Sequence, residues 1–156
     1  MSLRNSLALL FLCLTALPLG ATDIVWPTTM DRASIRTPQD YLQPTVSGKT
    51  ESALFGMVRE DGKRFHEGID IRPAKTNADG EALDLVLAAM DGQVAYLNAN
   101  VNGPYGRYVV LHHAAAEIPV YTLYAHLAKI EPSLKTAQPV RRGTVIGLMG
   151  RTSAGA

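Results

Sequence analysis

From Gly48 onward the chain is a series of short apolar runs cut by turn residues. Residues 93–97 (QVAYL) follow Asp91-Gly92, a tight-turn pair, and residues 144–149 follow Arg142-Gly143. Residues 108–112 (YVVLH) and 120–124 (VYTLY) are β-branched and aromatic, while 68–72 (GIDIR) and 85–90 are further short apolar pieces. Only residues 81–90, rich in Ala, Leu and Glu, suit a helix equally well. Runs this short, punctuated this often, predict an all-β body of antiparallel sheets, a sandwich or partly open barrel. His112 and His113 close one predicted strand, so the pleat turns one inward and the other outward. Both are read as structural.

The N-terminal part follows a different pattern. Arg4 precedes an apolar run at residues 7–17 (LALLFLCLTAL), and Pro18, Gly20 and Ala21 supply the breaker and small residues of a cleavage region. Residues 1–21 therefore read as a secretory signal peptide, cut after Ala21. The run is well short of the roughly 20 apolar residues a spanning helix needs, so no stable membrane span is expected after its removal. Export to the periplasm, cell envelope or exterior follows. Residues 22–47, rich in Pro, Thr, Asp and Gln, read as a lead-in segment lying across the domain, with Trp26 its expected anchor. Residues 48–156 form the domain proper.

Composition narrows the function classes. Across 156 residues, 47% are hydrophobic and 19% charged, which suits one folded domain and excludes disorder. Net charge is +1, and removal of Arg4 with the signal leaves 14 basic against 14 acidic residues. A nucleic-acid binder would need a basic stripe that this balance does not provide. The single cysteine, Cys13, lies in the apolar run, so the exported chain has no disulfide to staple it. It is expected to be a monomer.

Four histidines carry the candidate chemistry: His66, His112, His113 and His126. His66 is followed four positions later by Asp70, with Gly68 between them. An imidazole nitrogen and a carboxylate oxygen are a plausible pair for zinc. Fully extended, four residues span about 13 Å, too far for two donors that each lie about 2 Å from one ion. The chain must therefore bend near Glu67-Gly68, with Asp70 opening the next strand. Tyr124-Ala-His126-Leu ends a predicted strand, and His126 could serve as a general base or steady an oxyanion. Each feature also has a plainer reading, as a loop histidine, a surface aspartate and a half-buried histidine.

Together these pieces resemble a known family. Phe55-Gly56, His66-Glu-Gly68-Ile-Asp70-Ile, Asp91-Gly92-Gln-Val94, Gly106-Arg-Tyr-Val-Val110, Tyr124-Ala-His126-Leu127 and Gly143-Thr-Val-Ile-Gly147 occur in the order expected of the M23 peptidases, the LytM or lysostaphin-type zinc endopeptidases. The resemblance implies an antiparallel β fold with a loop-walled groove, a Zn²⁺ cofactor, and hydrolysis of peptide cross-links in bacterial peptidoglycan. It makes His66 and Asp70 metal ligands and His126 a catalytic histidine. His113 matches a histidine common at the end of its strand, without an assigned role. The family closes its site with a His-x-His motif after the Gly-x-x-Gly region, whereas here the sequence runs from Gly147 to Ala156 without a further histidine. Truncation ahead of that motif is the expectation, because a chain that had abandoned catalysis would have little use for His66, Asp70 and His126 together. Such a chain would be inactive or hold metal weakly.

Two rivals come from other classes. A non-catalytic LytM-like domain would bind the cell wall or activate another hydrolase, and such relatives usually lack the ligands retained here. The Asp91-Gly92-Gln-Val94 and Gly106-Arg-Tyr-Val-Val110 pieces also faintly resemble the glucose-specific IIA phosphocarrier domain, a cytoplasmic protein at odds with the signal peptide.

Overall fold

The structure is a computed structural model that describes residues 23–114 and 118–153. The expected signal peptide, residues 1–21, lies outside the described residues. Among those described, nine strands and three short 3-10 turns are the regular elements, so the body is all-β. The strands are β1 (Gly56–Arg59), β2 (Arg64–His66), β3 (Leu85–Leu87), β4 (Gly92–Asn98), β5 (Tyr108–His113), β6 (Val120–Tyr124), β7 (Lys129–Ile130), β8 (Pro139–Val140) and β9 (Val145–Leu148). They form three antiparallel sheets: the hairpin β1-β2, a three-stranded sheet in the order β3-β9-β7, and a four-stranded sheet in the order β6-β5-β4-β8.

Alternation explains the larger sheet. Along β5, Val109, Leu111 and His113 are buried while Tyr108, Val110 and His112 are half-exposed, the period of two that a one-sided sheet imposes. The core draws on both large sheets, joining Val94, Val109, Leu111 and Tyr124 to Val86, Leu127 and Ile146. Burying a Val, Leu or Ile side chain contributes about 1.5–3 kcal/mol, so this cluster is the main source of stability in a chain without a disulfide.

Two ambiguous stretches resolve for tertiary reasons. Residues 85–87 are a strand rather than helix because they pair with β9 on one side, while Thr28 bridges Val86 on the other. Residues 68–72, expected as a strand, make only an isolated bridge, Ile71 to Leu42. The partner comes from the lead-in segment: Gln43 N–H donates to Asp70 O at 2.8 Å and Arg72 N–H to Tyr41 O at 2.8 Å. The segment is thus woven into the body, with Met30 and Leu42 buried. Trp26 packs edge-on against Tyr41, ring centroids 5.4 Å apart.

Candidate metal centre

His66 ends β2, directly across the hairpin from Gly56. Gly56 has a φ of 114°, a conformation that L side chains rarely adopt, so glycine is required opposite the histidine. The chain then bends at Gly68, where sequence reasoning put the bend. Gly68 does not have a positive φ, however, so the turn is made without its special freedom. The bend returns Asp70 to the histidine, with Asp70 Oδ1 lying 3.3 Å from His66 Nε2.

That distance can be tested against zinc. Two donors about 2.0–2.1 Å from a tetrahedral ion are separated by about 3.3–3.4 Å, so this pair is spaced for one ion. The protonation pattern agrees. His66 Nδ1 lies 2.7 Å from the carbonyl oxygen of Leu54, which can only accept, so Nδ1 carries the proton. In the neutral ring Nε2 then presents a lone pair to a carboxylate oxygen. Two electron-pair donors face one another, and only a proton or a cation resolves that arrangement.

Both donors are held from behind. The second Asp70 oxygen accepts from the Arg59 guanidinium, whose Nε donates to Ser52 O at 3.2 Å. Asp70 N–H donates to Ala53 O at 2.9 Å. The short turn Thr50–Ala53, with Leu54 after it, therefore fixes the backbone behind Asp70 and the tautomer of His66. The carbonyl behind His66 raises the basicity of its ring, and the guanidinium behind Asp70 sets the orientation of its carboxylate. The pair remains reachable, with side chains 13% and 29% exposed. Among the described residues, no group of three or more His, Cys, Asp or Glu side chains comes together.

His126 is built differently. Its φ of 60° is uncommon for a residue with a side chain, and three hydrogen bonds hold it there. His126 N–H donates to Tyr105 O at 2.9 Å, and its carbonyl accepts from Thr152 N–H at 3.3 Å. Nδ1 lies 2.8 Å from Thr152 O, so it too carries the proton and leaves Nε2 as the acceptor. Thr152 comes this close only because Gly106 has no side chain: a Cβ there would sit 2.1 Å from Thr152 O.

Tyr105 touches both halves. Its carbonyl accepts the His126 amide, and its hydroxyl donates to Glu67, the neighbour of His66. That bond to Glu67, more than partial burial, holds the phenol above its ordinary pKa. Sequence reasoning singled out His66, Asp70 and His126 but not Arg59, Tyr105 and Thr152. Tyr105 and Thr152 act across 38 and 26 positions and Arg59 across 11, and no local pattern marks them.

The family model of peptidase family M23 matches residues 64–156 of the chain. The chain belongs to peptidase family M23. Comparison with curated proteins and with solved structures gave no match. His66, Asp70, Tyr105 and His126 fall inside the M23 stretch, and the protein is accordingly a peptidase. The residues that brace the first pair lie before it, since Ser52, Leu54 and Arg59 precede residue 64. In this M23 chain the backing of the site comes from outside the matched stretch.

His113, also within the match, is the inward member of the consecutive pair. It is fully buried, with Nδ1 2.8 Å from Asp91 O and Nε2 2.8 Å from the Thr122 hydroxyl. His112 is half-exposed and lies against the Tyr121 ring, centroids 5.0 Å apart. Among the described residues, neither belongs to a group of three or more His, Cys, Asp or Glu side chains that could hold a metal.

Proposed function

We propose that the protein is an exported, zinc-dependent endopeptidase that hydrolyses peptide cross-links of bacterial peptidoglycan, with residues 48–156 as its peptidase domain. The observation that carries this reading is the 3.3 Å approach of His66 Nε2 to Asp70 Oδ1, with His66 Nδ1 committed to a backbone carbonyl. His66 and Asp70 would hold the ion, and Arg59 keeps the carboxylate turned towards the histidine. Bound there, zinc would supply Lewis acidity, polarising a scissile carbonyl and lowering the pKa of water towards about 7.

His126 is the residue we assign to proton handling. Its Nδ1–H is anchored on Thr152 O, so Nε2 is free to accept a proton or, once protonated, to donate a hydrogen bond to developing negative charge. The left-handed backbone at His126 fits a residue whose position matters more than local comfort. Tyr105 ties this loop to the His66 side through Glu67, keeping the two halves in register. Two donors hold zinc less firmly than the three protein ligands usual in catalytic sites. Weak metal binding is therefore expected of the described residues alone.

Zinc binding and release of new amino groups from purified peptidoglycan test the reading together. The chain should take up zinc, and His66→Ala and Asp70→Ala should abolish uptake. His126→Ala should keep the metal while losing about 10²-fold or more of any hydrolysis. Hydrolysis that survives in His66→Ala or in the presence of a chelator would dispose of the proposal. A chain that binds peptidoglycan but no zinc would point instead to a docking domain.

A further inference from the structure

On the outer face of β4 and β5 lies a cleft of about 250 Å³, lined chiefly by Tyr96, Tyr105, Tyr108, Asn98, Asn102 and Pro104. The three rings form a connected set. Tyr96 and Tyr108 are diagonal neighbours across the strand pair, centroids 5.7 Å apart and tilted by 32°, and Tyr105 meets Tyr108 edge-on at 5.7 Å. Tyr96 is 53% exposed, so its ring face is open to a ligand. The adjoining loop is braced, not loose: Asn98 Nδ2 reaches Asn102 Oδ1 at 2.8 Å and Gly106 O at 3.0 Å. With its oxygen committed, Asn102 keeps its amide N–H groups without a partner among the described residues.

The chemistry of the lining limits what can bind. No charged side chain lines the cleft, so a phosphate or carboxylate would find no cation to pair with. A peptide adding itself to a sheet needs an open edge, whereas the tyrosines stand on a face. A sugar ring matches both features on offer. Its C–H faces are apolar and can lie on tyrosine rings, and its rim of hydroxyls can pair with phenol and amide groups. The cleft is smaller than the roughly 300–1,000 Å³ of drug-sized pockets, which fits one residue of a longer chain.

We infer that this cleft is a carbohydrate subsite that grips one sugar residue of a neutral oligosaccharide. Tyr105 then serves two purposes, since it lines the cleft and also contacts Glu67 and the His126 amide. A sugar strand held there lies beside the candidate metal centre, which suits a substrate of glycan strands joined by peptides. That last step rests on the proposed function; sugar binding itself does not.

The test is a titration of the full chain, with chelator present and no metal, by tetra-N-acetylchitotetraose, followed by tyrosine fluorescence and calorimetry. Saturable binding is expected. Tyr96→Ala should weaken it about tenfold, the loss of one stacked ring. Asn102→Ala should weaken it about threefold. Tyr121→Ala, which removes a tyrosine 59% exposed on β6 and outside the cleft, should leave it unchanged. Zinc uptake by Tyr96→Ala should equal that of the parent, so failure of the sugar site and failure of the metal site are read separately. The inference is overturned if the sugar does not bind saturably, if Tyr96→Ala and Tyr121→Ala behave alike, or if a tetraalanine peptide occupies these tyrosines while the sugar does not.

Discussion

His66 and His113 make the same first contact and end in opposite roles. Each sends Nδ1 to a backbone carbonyl, Leu54 O in one case and Asp91 O in the other. The difference lies at Nε2. In His113, itself fully buried, it meets the Thr122 hydroxyl, so every polar atom of the ring is used. In His66 it faces one oxygen of a carboxylate whose other oxygen is held by Arg59, on a side chain that solvent can reach. A histidine becomes a candidate ligand when one nitrogen is fixed and the other is left for a cation; it becomes a core residue when both are fixed.

The sharpest way to break this comparison is to delete each ring in turn. His113→Ala should cost about 2–5 kcal/mol, from a cavity in the core and from polar groups at Asp91 and Thr122 left without their partner. Zinc uptake should survive in whatever fraction folds. His66→Ala should abolish uptake and cost less stability than His113→Ala, because the His66 ring, though only 13% exposed, lies on the β1-β2 hairpin outside the core cluster. Denaturant midpoints and metal titration of both variants decide it. If His66→Ala proved the more unfolded, the division into ligand and core residue would be wrong.

The same contrast governs how much could be read from the sequence. β5 and β6 were legible because their alternation is local: Val109, Leu111 and His113 fall on one face by period alone. The same rule required one of His112 and His113 to face inward and the other outward; the structure makes His113 the inward one. Residues 68–72 were not legible as they stand, because the bridge at Ile71 depends on Leu42, which lies in a segment without apolar period. In the candidate site, His66 and Asp70 could be singled out together because their spacing is short. Arg59 was missed since nothing nearby marks its guanidinium as the partner of Asp70. Gly106 was noticed only as part of a family pattern, and its physical reason is contact with Thr152, 46 positions away in sequence.

Arg59 sharpens the comparison from the other side. If His66 and Asp70 form a ligand pair, Arg59→Gln should weaken zinc binding by about 10–100-fold, the usual effect of losing a group that orients a ligand. Arg59→Lys should recover only part, because an ammonium cannot hold both the carboxylate and Ser52 O in the geometry of a guanidinium. The thermal midpoint should fall modestly in both. Equal zinc affinity in parent and Arg59→Gln would mean that Asp70 needs no orienting partner.

The smallest effect is expected at high pH, where two tyrosines separate the buried network from the exposed one. Tyr124 lies beside Thr122 in the His113 network, and burial raises its pKa above the ordinary 10.0 against the opposing effect of hydrogen bonds from Thr122 and Ala89. Tyr105, near the surface, is raised chiefly by its bond to Glu67. For both groups the folded chain holds its proton more tightly than the unfolded chain does. The stability each contributes is therefore complete below about pH 10 and declines as pH rises towards the folded value. In an absorbance titration of phenolate, these two of the six tyrosines should ionise last. Added salt should lower the Tyr105 pKa slightly, by screening the repulsion between Glu67 and the phenolate, and should leave Tyr124 nearly unmoved because desolvation dominates there. Tyr105→Phe and Tyr124→Phe assign the two late components. If both responded to salt alike, the exposed and buried networks would not differ in the way their histidines imply.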